Sequence, residues 1–164
     1  MMAKALDNAP IDRRAMMHHY TESGLRNVWL ANGFKLHKTP HGKGIAFDNI
    51  EGLHREIGRW LCAFRPRLMG AEFRFLRHEM DLSQAALATL LGKDAQSVAL
   101  WEKGKVKVPA WADRLLRALY REHVGENVKI RALIEKVAAL DASKAKPMRF
   151  EACETPKGWT LKEA

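Results

Sequence analysis

Cysteine is nearly missing from this chain. Cys62 and Cys153 are its two cysteines; they lie far apart and form no C-x-x-C, so neither a disulfide framework nor a zinc site is indicated. Cys62 falls in the apolar pattern Trp60, Leu61, Ala63, Phe64 and is expected as a buried thiol rather than a reactive one. Long apolar runs are missing too: none approaches the ~18–20 residues of a spanning helix. The first residues show no apolar core ahead of a small-residue cleavage site. These absences predict a cytoplasmic protein with no membrane partner. Catalytic spacings are equally wanting. Ser83, Ser97, the seven histidines and the acids make no nucleophile–base or metal-ligand pattern, and there is no glycine-rich phosphate loop. The expectation is a protein that is not an enzyme and takes no cofactor.

Acidic residues are the remaining shortage. Against 28 Lys and Arg stand 19 Asp and Glu, a net charge of +9. Clustered cations gain entropy by releasing the counterions condensed on phosphates, so this excess favours a polyanion such as nucleic acid. A membrane surface or plain solubility is the alternative source of such a charge.

Residues 1–19 mix Met, Asp, Asn, Pro, Arg and His without a period and read as a flexible arm. From residue 20 to residue 66 the punctuation is that of a small β-meander with one helix. Val28, Trp29 and Leu30 precede Asn32 and Gly33, a dipeptide that accepts positive φ and favours a tight hairpin turn. Phe34 to His37 alternates with period two, residues 39–44 read as a turn, and Ile45, Ala46 and Phe47 return as a third strand. Such a meander cannot stand alone. A helix capped by Asp48 or Asn49 is expected to cover it through Ile50, Leu53, Ile57, Trp60, Leu61 and Phe64, ending at Pro66.

Residues 67–140 then carry five helical signals. Phe73, Leu76 and Met80 share one stripe. Ser83 caps a helix that Gly92 ends, and Asp94 caps another that Gly104 ends. Pro109 starts a fourth, with Leu115, Leu116 and Leu119 directed inward. After Gly125 a fifth runs through Val128, Ile130, Leu133, Ile134, Val137 and Leu140. From 141 to 164 the composition turns to Ser, Lys, Pro, Glu and Thr, which reads as a flexible tail onto which only Phe150 and Trp159 have a reason to dock. The fold class predicted is mainly α: a five-helix domain preceded by a small β-meander plus helix.

Leu82-Ser83-Gln84, Leu87-Ala88 with Leu91-Gly92, and Trp101-Glu102 with Gly104 hold the spacing of L-S-Q, L-A-x-x-L-G and W-E-x-G. Over about fifty residues the chain resembles the Cro/repressor (XRE) type of helix-turn-helix regulator. Two short helices joined by a tight turn must cross closely, which suits the small Ala88 and Gly92. The second helix buries Val98, Trp101 and Glu102, and its other face shows Gln96, Leu100 and Lys103 with Ala95 and Ser97 beside them. The resemblance implies that Ala95, Gln96, Ser97 and Leu100 face bases. Gln96 is the best reader, because a carboxamide offers donor and acceptor together to adenine. The resemblance also places Gln84 against a phosphate, with Lys93, Lys103, Lys105 and Lys107 around the same edge. It pairs Arg77 with Glu102 as a structural couple. Arg55, Arg59, Arg65, Arg67, Arg74 and Arg77 either extend the phosphate footprint or form the wet face of two helices.

The N-terminal third, through Tyr20 to Leu30, Gly33 and Ile50 to His54, resembles the region before the helix-turn-helix in MqsA-like antitoxin regulators. Many relatives carry a zinc-binding cysteine pair in the turn between the strands. This chain has residues 39–44 without cysteine, and His37 with His41 cannot complete a tetrahedral site, so no metal is expected. The resemblance implies a double-stranded DNA operator as partner and a homodimer, since one short helix reads too few bases. It implies transcription regulation as a repressor, with autoregulation of the chain's own promoter as one form of it. The alternative is an antitoxin whose main role is to neutralise a toxin protein.

Overall fold

The computed structural model describes residues 16–127 and 148–164. Among them are six strands and five helices. Strand content comes from both ends of the chain, and the expected mainly α class is thereby corrected to a mixed α and β architecture. Strands β1 (His18–His19), β2 (Val28–Leu30), β5 (Phe150–Thr155) and β6 (Gly158–Glu163) form one sheet in the order β1-β2-β5-β6. Its outer pairs are antiparallel, and β2 with β5 is parallel. Strands β3 (Phe34–Thr39) and β4 (Gly42–Phe47) form a separate two-stranded hairpin.

Three expectations change with this topology. The stretch 28–47 is not a three-stranded meander, because Val28–Leu30 pairs with β1 and β5 and not with Phe34. Asn32 and Gly33 make no hairpin turn; they switch the chain from one sheet to the other. The Asn32 amide nitrogen donates to the Glu154 carbonyl at 3.2 Å, and its oxygen accepts from the Glu154 N–H at 2.7 Å, so the side chain finishes the β5 edge. Gly33, at φ 78°, passes so close to Trp159 that a Cβ would stand 2.2 Å from its ring. Finally, residues 150–163 are a β-hairpin rather than part of a loose tail, and His18 and His19 of the expected arm pair with β2. Phe150, Ala152 and Trp159 are buried on one face while Glu151, Thr155, Thr160 and Lys162 take the other, the alternation of a half-covered antiparallel pair.

Helix α1 (Ile50–Phe64) covers the four-stranded sheet. The Asn49 side chain caps it, accepting from the Gly52 N–H at 3.2 Å. Leu53, Ile57 and Leu61 are fully buried, and Trp60 stacks on Phe150 with centroids 4.4 Å apart. Ile50 and Phe64, expected on the buried stripe, are exposed. The other helices are α2 (Gly70–Glu79), α3 (Gln84–Leu91), α4 (Ala95–Glu102) and α5 (Ala110–His123). Leu115 of α5 faces outward, against expectation, while Leu116 is buried. The expected helix at 128–140 lies outside the described residues. Among the described residues no helix is long and apolar enough to cross a membrane.

Buried ions lock the helices to one another. Arg65 donates to both Glu72 oxygens at 2.8 and 2.9 Å, and Glu72 also accepts from the Met69 N–H. Arg117 is fully buried: it pairs with Asp113 and donates to the carbonyls of Leu61, Cys62 and Arg65 at the end of α1. Each ion is both paired and hydrogen-bonded, the condition under which buried charge is tolerated. Cys62 lies within this packing, and its thiol is pushed up to about 12 by burial above all.

Candidate nucleic-acid interface

The turn between α3 and α4 is written in local chemistry. Ser83 Oγ accepts from the Ala86 N–H at 3.0 Å and starts α3. Gly92 ends it at φ 65°, the left-handed conformation that suits a residue without a side chain. The Lys93 N–H returns to the Ala88 carbonyl at 2.8 Å, and Asp94 Oδ1 accepts from the Ser97 N–H at 2.7 Å to begin α4. Those Ser97 hydrogen bonds, first the backbone one, hold the Asp94 carboxyl below its usual range. Gly104, at φ 69°, closes the far end, where the Lys105 and Val106 N–H groups both donate to the Leu100 carbonyl.

Inside, α4 rests on Val98, Trp101 and Glu102, all buried. Trp101 meets Phe73 edge-on at 5.9 Å and Trp111 at 6.0 Å. Arg77 Nε and Nη2 grip the Glu102 carboxylate at 2.6 and 2.9 Å, and Nη1 donates to the Leu82 carbonyl. The pair thus ties α2, α4 and the start of α3 together, the role expected of it. Gln84 joins them unexpectedly, donating from Nε2 to Glu102 at 2.8 Å. One of its N–H groups therefore belongs to the scaffold, and only the other is free for an outside acceptor.

Outside, α4 presents Gln96, which is exposed, with Ala95, Ser97 and Leu100 half-buried beside it. Lys93, Lys103, Lys105 and Lys107 are exposed, and none has an ion-pair partner among the described residues. Lys93 instead extends over Trp111, 5.9 Å from the ring. The fold therefore places all four residues expected to face bases on one helix, Gln96 exposed and the other three half-buried, with lysines in the turns before and after it. His37 and His41 stand exposed on β3 and the turn that follows.

No family model, curated protein or solved structure matches the chain. Sequence reasoning missed the exposed Arg149, whose guanidinium lies 4.1 Å over Trp29, and Arg26 near it. Both stand in segments that had been assigned to a meander or to a tail, and only the β2–β5 pairing brings them to one place. The Tyr20 hydroxyl donating to His54 Nε2 at 2.7 Å, with His54 Nδ1 donating to Glu79 at 2.8 Å, was likewise missed.

Proposed function

We propose that this protein binds double-stranded DNA sequence-specifically, inserting α4 into the major groove, and that it acts as a dimeric transcriptional repressor. One observation carries the reading: α4 is buried on its Trp101 side and uncovered on its Gln96 side. A helix that needed only to be soluble would carry several charges on that outer face, whereas here Lys103 is the one charge and Ala95, Gln96, Ser97 and Leu100 are neutral. Side chains of this kind can approach base edges, and Gln96 can address adenine with donor and acceptor together. The flanking lysines supply the sequence-independent attraction to phosphates. The XRE-type resemblance of the motif agrees with this division of labour between faces.

Two substitutions in the one helix test it. Gln96→Ala should leave stability within about 0.5 kcal/mol, as surface changes do, and cost about 1–3 kcal/mol on the selected operator while sparing random duplex. Trp101→Ala should lose about 3–5 kcal/mol of stability through the cavity it leaves. Operators selected from a random library, followed by titration and denaturation of both variants, supply the readout. Normal operator binding by Gln96→Ala would remove this helix from the groove.

A further inference from the structure

A recess of about 660 Å³ opens between the four-stranded sheet and the C-terminal end of α4. Met69, Ala71 and Met148 give it an apolar lining over the buried Leu25, and Arg26, Lys103 and Arg149 line its rim. These three cations are exposed and have no ion-pair partner among the described residues. Two acids also line the recess, Glu72 and Glu102. Both are neutralised by buried arginines, Arg65 at 2.8 Å and Arg77 at 2.6 Å. The charge left facing the recess is therefore positive.

The rim is held in place. Arg149 Cζ lies 4.1 Å from the Trp29 ring, and His19 stacks on the same ring at 4.1 Å and 5° between planes. Two groups that close cannot share a face, so Trp29 is clamped between them and the guanidinium is fixed in orientation. The ring of His19 also bonds the Arg26 carbonyl at 2.7 Å, tying the loop that carries Arg26 to the same stack. A planar fork held still by stacking loses little freedom on gripping a carboxylate.

We infer that this recess binds a small organic acid, a carboxylate on a flat or branched apolar body. The carboxylate would lie between Arg26 and Arg149, and the body against Met69 and Met148. Volume, apolar lining and few placed polar groups agree with the dimensions of small-molecule sites. The apolar lining argues against a stretch of DNA backbone, whose hydrated phosphates would leave Met69 and Met148 with no partner.

Calorimetric titration of the full chain tests it, with 2-naphthoate as the probe and the neutral 2-naphthalenemethanol beside it. Naphthoate should bind one per chain, and the alcohol about tenfold more weakly or worse, since a charge-assisted contact is lost. The double variant Arg26→Ala, Arg149→Ala should lose about tenfold or more in naphthoate affinity with an unchanged near-ultraviolet circular dichroism spectrum. Arg149→Lys, which keeps the charge and loses the planar fork, should fall between the two. Lys157→Ala, on the turn between β5 and β6, should bind as the parent does. Equal affinity for acid and alcohol, an unaffected double variant, or no saturable naphthoate binding would each overturn the inference. So would a double variant that weakens only random duplex DNA, which would give the two arginines to a phosphate backbone.

Discussion

Tyr20 and Tyr120, the two tyrosines of the chain, are both nearly inaccessible, and each ties distant segments together. The Tyr20 hydroxyl joins the sheet side to His54 of α1, and Tyr120 donates to the Arg55 carbonyl at 3.3 Å. Burial, with Glu22 and Glu79 adding to it, pushes the Tyr20 phenol up to about 12. Burial likewise raises Tyr120. A phenol that ionises later in the folded chain than in the unfolded one favours the fold while it stays neutral. That stability is complete below the ordinary phenol value near pH 10 and is lost as pH rises from about 10 to 12. For Tyr20 the loss amounts to about 2–3 kcal/mol. An alkaline titration followed by phenolate absorbance should accordingly show no ordinary tyrosine. Phenolate should appear only together with loss of the circular dichroism signal or above pH ~12. Ionisation of either tyrosine near pH 10 in the folded protein would show that its hydroxyl is not held as described.

The position of α4 depends on how another helix meets its end. The first residue of α2 is Gly70, and a Cβ there would stand 2.3 Å from the Trp101 carbonyl oxygen and 2.6 Å from that of Glu102. The N-terminus of α2 thus abuts the last carbonyls of α4, the favourable head-to-tail arrangement of two helix dipoles. Backbone cannot swing aside as a side chain can. Gly70→Ala should force α2 and α4 apart, strain the Arg77–Glu102 grip between them, and cost about 1–3 kcal/mol or more in chemical denaturation. Near-ultraviolet circular dichroism should change with the displaced aromatic packing around Trp101, and, under the proposed function, operator affinity should fall. Unchanged stability would mean that the two helix ends stand further apart than this packing requires.

At the scale of the whole molecule, charge is the dominant property. A net charge of +9 and free lysines in the turns on either side of α4 imply association governed by salt. Under the proposed function, the logarithm of duplex affinity should fall linearly with the logarithm of salt concentration, with a slope of about −0.9 per phosphate neutralised. Replacing Lys105 and Lys107 with alanine should weaken operator and random duplex alike and flatten that slope by up to about 1.8. Fluorescence anisotropy across a salt series measures both quantities. An unaltered slope would take these two lysines out of the interface. If the protein binds as a dimer, its two α4 helices should be spaced by roughly 34 Å or a multiple, and selected operators should be inverted repeats.

The helix-turn-helix segment could be read directly because its instructions are local. Ser83, Gly92, Asp94 and Gly104 each act within a few residues, through a cap or a left-handed turn, so the sequence alone sets the helix ends and separates the Val98–Trp101–Glu102 face from the Gln96 face. Even the Arg77–Glu102 couple could be anticipated, through the resemblance of the motif. The four-stranded sheet could not. The Asn27 amide reaches the Met148 carbonyl at 2.8 Å across 121 positions, and β2 pairs in parallel with a strand from the other end of the chain. A strand's alternation states which face it buries but not which edge it meets. Phe150, Ala152 and Trp159, diluted by Glu, Lys and Thr, therefore resemble a solvated tail until β2 and α1 cover them. Tertiary structure also decided that Gln84 serves Glu102 and that Leu115 looks outward, since each depends on a neighbour distant in sequence. The same long-range pairing of β2 with β5 made a single recess out of Arg26, Trp29 and Arg149.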